Sequence, residues 1–67
     1  MEVTLYHQQS CPQCKMVEAL LEKRNIAHQS NSDIDYMTSI GVKTTPTLSV
    51  DGTLLTGKAI TDWIKQQ

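Results

Sequence analysis

Polar and apolar positions alternate at the start of the chain. Val3 and Leu5 are separated and flanked by Glu2, Thr4 and Tyr6, and this period of two predicts a first strand. The polar stretch His7-Gln8-Gln9-Ser10 then forms a short loop ending at Cys11, and Pro12 suits the first position of a helix, where its missing N–H costs nothing. From there Met16, Val17, Leu20 and Leu21 fall on one face and Glu18, Glu22 and Lys23 on the other. This predicts an amphipathic helix to about Arg24, ended by Asn25. Ile26 to about Gln29 reads as a weaker second strand, and Asn31-Ser32-Asp33 as a turn. Ile34, Met37 and Ile40 recur every three residues and stop at Gly41, as in a short helix with a glycine after its last turn. Thr47 to Val50 alternates again, with Leu48 and Val50 on one face. Asp51-Gly52 is a hairpin signal, and Thr53–Leu55 is the return strand. Ile60, Trp63 and Ile64 stand at i, i+3 and i+4 of a closing helix that starts between Lys58 and Thr61.

The predicted order is therefore βαβαββα. The first βαβ unit gives two parallel strands through a right-handed crossover, and the hairpin adds an antiparallel pair. The result is an α/β fold, a four-stranded mixed sheet packed with helices, in a single domain spanning residues 1–67. The chain contains no repeat, linker or low-complexity segment.

Composition raises a question about the cysteines. A chain of 67 residues buries only about 60% of the surface its unfolded form exposes, and such short chains often need a disulfide or metal staple. Cys11 and Cys14 are the only cysteines, and a bridge between them would close too small a loop to constrain the unfolded chain. Their purpose is therefore something other than stability. The formal net charge is −1, and Lys15, Lys23, Arg24, Lys43, Lys58 and Lys65 are scattered, which argues against a nucleic-acid partner. No apolar run is long enough to span a bilayer, and Met1 leads straight into the first strand without the pattern of a signal peptide. The expectation is a cytoplasmic monomer. In that compartment a close cysteine pair is more often catalytic or metal-binding than structural.

With Pro12 as the first helical residue, Cys11 is the N-cap and Cys14 the third residue of the helix. An N-cap side chain accepts from the free N–H groups of the second and third residues, here Gln13 and Cys14. A thiolate at Cys11 would also meet the positive end of the helix dipole. Such surroundings lower a cysteine pKa from about 8.5 into the ~3.5–7.5 range. The i, i+3 spacing brings both sulfurs within reach of a disulfide. Cys11, at the loop–helix junction, reads as the attacking thiol, and Cys14, one turn in and shielded, as the resolving one. A zinc module is the alternative. Thirteen residues separate Cys14 from His28, which fits half of a two-cysteine, two-histidine pattern, but Ser32, Asp33 and Ile34 occupy the positions for a second histidine. His7 and His28 read as ordinary surface or half-buried histidines, and no metal is expected.

Taken alone, Pro46 before a strand reads as a trans loop proline. The combination of Cys11-Pro12-Gln13-Cys14 at a helix start, Thr45-Pro46 before a strand, a D-G hairpin and a terminal helix resembles the glutaredoxin branch of the thioredoxin-like fold, over essentially the whole chain. The resemblance implies a cis Pro46 packed beside the cysteine pair and a Thr45 backbone that pairs with substrate. It also puts Pro12 and Gln13 among the substrate contacts. It implies no bound cofactor and a disulfide-containing protein as substrate, with glutathione or a thioredoxin-reductase-type flavoenzyme as reductant. The chain departs from the family pattern at three places that normally hold glutathione. Gln8 stands where a basic residue is usual, Gln13 where an aromatic is common, and Thr56-Gly57-Lys58-Ala59 where a Gly-Gly and a nearby Asp are expected. In these respects it is similar to the redoxins that serve ribonucleotide reductase.

Overall fold

The computed structural model describes all 67 residues, with seven elements in the predicted order. They are β1 (Val3–Tyr6), α1 (Pro12–Lys23), β2 (Gln29–Asn31), α2 (Ile34–Ser39), β3 (Thr47–Val50), β4 (Thr53–Thr56) and α3 (Lys58–Lys65). The strands form one mixed sheet in the order β2-β1-β3-β4. β1 runs parallel to β2 and antiparallel to β3, which pairs antiparallel with β4. This is the thioredoxin-like architecture the resemblance implied.

Register decides which side chains meet. Leu5 lies opposite Leu48, and Val3 opposite Val50, on the sheet face that receives the two longer helices. There Val3, Leu5 and Leu48 pack with Val17 and Leu21 of α1 and with Ile60 and Ile64 of α3. Tyr6 and Thr47, also paired, point to the other face. On that side Tyr6, Met37 and Val42 form a second, smaller cluster beneath α2. Alternation alone had put Tyr6 on the polar side of β1, but α2 covers it.

Three local readings change. The second strand is Gln29–Asn31 rather than Ile26 to Gln29. Ile26 owes its partial burial to the end of α1, where its N–H donates to the Leu21 carbonyl at 2.9 Å. The strand that follows lies at the sheet edge and shows no apolar alternation to read. In α2 only Met37 is buried, while Ile34 and Ile40 are exposed. Residues three apart fall about 60° short of a full turn, so three in a row cannot share one narrow contact. Met16 likewise stands out in solvent, 55% exposed.

The turns follow their residues. Asn25, with φ 55°, terminates α1 in the left-handed conformation that asparagine tolerates. Asp51 and Gly52 both have positive φ, 50° and 88°, as the two-residue turn of a tight hairpin requires. The α3 helix starts at Lys58, the early end of its predicted range, immediately after Gly57 at φ 55° and ψ −131°.

Candidate active site

The loop after β1 delivers Cys11 to the start of α1. Cys11 keeps extended backbone angles, φ −117° and ψ 99°, while its carbonyl accepts the first helical bond from Lys15 N–H at 3.3 Å. Its sulfur accepts from the Cys14 N–H at 3.1 Å. Cys11 is thus the N-cap, with one donor confirmed. The second donor expected from Gln13 is absent from its sulfur's partners. Pro12 occupies the first helical turn. The two cysteines are joined as a disulfide, with Cα atoms 5.2 Å apart. Their environments differ: Cys11 is half-buried, whereas Cys14 is 3% exposed.

The second part of the site is the turn leading into β3. Its Thr45–Pro46 peptide bond is cis. Thr47, 1% exposed, donates from its hydroxyl to the Thr44 carbonyl at 2.6 Å and staples the turn from beneath. Neither the N–H nor the carbonyl of Thr45 enters a backbone hydrogen bond, so this residue offers an unpaired strand-like edge. An open groove of about 460 Å³ joins Thr45 and Pro46 to Gln13 and is walled by Met16, Gly57 and Lys58. Gln13, Thr45 and Pro46 therefore line one groove, whereas Pro12 is not part of its wall. Met16 was missed as a wall residue because its helical spacing read as core. Across the Thr45 turn a larger hollow of about 620 Å³ holds Gln8, Lys43 and Ile34. Lys43 and Lys58 thus line separate hollows that meet at Thr45.

No group of three or more His, Cys, Asp or Glu side chains is arranged to hold a metal ion. His28 turns to the chain instead, its Nδ1 3.0 Å from the Ile26 carbonyl. No helix is long and apolar enough to cross a membrane.

The glutaredoxin family model matches residues 3–55, a span that contains both cysteines and the Thr45–Pro46 turn. The chain belongs to the glutaredoxin family. No curated protein matches it, and no solved structure does. In this glutaredoxin the matched segment runs from β1 into β4, and α3 lies beyond it. Family membership and a disulfide-linked C-x-x-C at a helix start together support a thiol–disulfide redox role. The family generally acts on disulfide substrates and draws electrons from glutathione or a reductase.

Proposed function

We propose that this protein is a dithiol electron carrier that reduces protein disulfides. The Cys11 thiolate attacks one sulfur of a substrate disulfide and forms a mixed disulfide. Cys14 then attacks Cys11, releasing the reduced substrate and leaving the protein oxidised. The observation that carries this reading is the asymmetry of the pair. Cys11 is accessible and its sulfur faces an N–H donor at a helix start, whereas Cys14 is shielded one turn further in. The unpaired Thr45 backbone beside the groove suits an extended substrate segment, which would add a short strand contact there. Gln13, Pro12 and Pro46 complete the surface that such a segment would cross. The zinc alternative needs four gathered ligands, and no such gathering supports it. Metal content of the purified protein separates the two readings.

The reductant follows from charge. Glutathione carries two carboxylates, and charge-assisted hydrogen bonds to such groups are the strong ones. Gln8 offers only a neutral amide, and Lys58 and Lys43 are exposed, where a cation contributes less. Loss of about 1–3 kcal/mol at one contact weakens binding roughly five- to a hundredfold. We expect a thioredoxin-reductase-type flavoenzyme to reduce this protein faster than glutathione does. Two NADPH-coupled assays with one protein disulfide test this. Rapid glutathione-coupled turnover with no response to the flavoenzyme would contradict it.

A further inference from the structure

Cys14 must lose a proton before it can resolve a mixed disulfide, because the thiolate is the attacking species. Its burial works against this, since desolvation disfavours the charged form of a thiol. One cavity reaches it. About 200 Å³ in volume, this cavity is lined by His7, Gln8, Gln9, Cys14, Lys15 and Glu18. Lys15 and Glu18 project from the flank of α1 opposite to Gln13 and Met16, so the cavity and the substrate groove lie on different flanks of one helix, with Cys14 and Val17 on its buried side between them. Cys11 lines neither.

His7 is positioned by the strand before it. Successive side chains of β1 alternate, with Leu5 toward α1 and Tyr6 toward α2, so His7 faces α1 again. Its backbone is held by an N–H bond of 3.0 Å to the Asn31 carbonyl. The charged groups that share the cavity are Glu18 and Lys15, both from α1, and the loop contributes the neutral Gln8 and Gln9. Lys15 as an ammonium has no lone pair to accept a proton, whereas a neutral imidazole does. Glu18 stands one turn beyond Cys14, is half-buried, and is the one acidic side chain that lines the cavity with His7.

We propose that His7 accepts the Cys14 proton as the mixed disulfide resolves, with Glu18 stabilising the imidazolium. This rests on Cys14 being the resolving thiol. The proton passes from Cys14 Sγ to a ring nitrogen of His7, directly or through water in the cavity, which has room for it. The Cys14 sulfur then bonds to Cys11 Sγ as the Cys11–substrate S–S bond breaks. The electron pair leaves on the substrate sulfur as a thiolate. Two protein thiols have become one disulfide, the substrate disulfide has become two thiols, and the His7 proton returns to solvent or to the departing thiolate.

Rapid mixing of reduced protein with an excess of the disulfide of thionitrobenzoate separates the steps. Attack by Cys11 releases one chromophore in a bimolecular phase, and resolution by Cys14 releases a second in a unimolecular phase. An ordinary thiol of pKa about 8.5 is only ~3% ionised at pH 7, so complete deprotonation is worth ~30-fold even without the effect of burial. His7→Gln should therefore slow the second phase roughly ten- to thirtyfold and leave the first unchanged. Its second phase should also climb more steeply with pH than the wild-type second phase. Glu18→Gln should slow the second phase severalfold, and His7→Asn serves if His7→Gln fails to show a full first phase. A wild-type second phase and pH profile in the histidine variants would overturn the role of His7, as would equal slowing of both phases. A second phase that persists in Cys14→Ser would instead overturn the resolver assignment, independently of His7.

Discussion

Replacing Cys11 with Ser should reduce disulfide reductase activity to the uncatalysed background while leaving the fold intact. A serine hydroxyl at a helix N-cap is among the most favourable residues there, so the Cys14 N–H keeps an acceptor and α1 keeps its start. What is lost is the thiolate, the only species able to open a substrate disulfide at this position. Cys14 cannot take over, because at 3% exposure it meets neither the groove nor a bulky partner. The companion variant Cys14→Ser should behave differently. It retains the attacking thiol and should accumulate mixed disulfides in place of completing turnover. Initial rates with a protein disulfide, together with unchanged circular dichroism, check the pair. Activity surviving in Cys11→Ser would place the chemistry elsewhere.

Leu48→Ala should come close to unfolding the protein. Leu48 is fully buried on β3, opposite Leu5 of β1 and within the main cluster shared by α1 and α3. Truncating a core leucine to alanine costs about 2–5 kcal/mol, the transfer term plus the cavity. A chain of this length has a total stability of about 3–10 kcal/mol, so the change removes a large share of it. With a urea m-value of about 1 kcal/mol/M for a small domain, the midpoint should fall by about 2 M or more. Activity should fall with it, since β3 carries the Thr45–Pro46 turn at its start. Leu54→Ala is the control: at 38% exposure on the edge strand β4, it should cost under about 1 kcal/mol. Equal midpoints for the two variants would mean that the core is not where the sheet register places it.

The parts of this molecule that were legible in the sequence are those where local chemistry and tertiary burial agree. Val3, Leu5 and Leu48 alternate because one sheet face is covered, and that same covering makes them the core. Asp51-Gly52 marks its hairpin because both residues tolerate positive φ. Cys11 and Pro12 mark the helix start because one needs its side chain free to accept and the other lacks an N–H. Illegible were features settled by distant partners. The edge strand Gln29–Asn31 is held by backbone pairing with Thr4–Tyr6 and leaves no apolar signature. Burial of Tyr6 depends on α2 folding back across the other sheet face. The groove wall from Met16 to Lys58 joins two helices that are far apart in sequence, and nothing local announces it. The cavity linking His7 to Cys14 is of the same kind, a loop residue set against a helix face by the direction in which β1 ends.

Cys11 is the attacking thiolate of the proposed cycle, and alkylation of the reduced wild-type protein tests that assignment. With limiting iodoacetamide, the labelled cysteine is identified by fragmenting the peptide that carries both, and the rate is followed against pH. The N-cap position predicts label on Cys11, with half-maximal rate well below the pH of about 8.5 at which a free thiol ionises. Label on Cys14 instead, or a Cys11 rate still climbing past that pH, would contradict it.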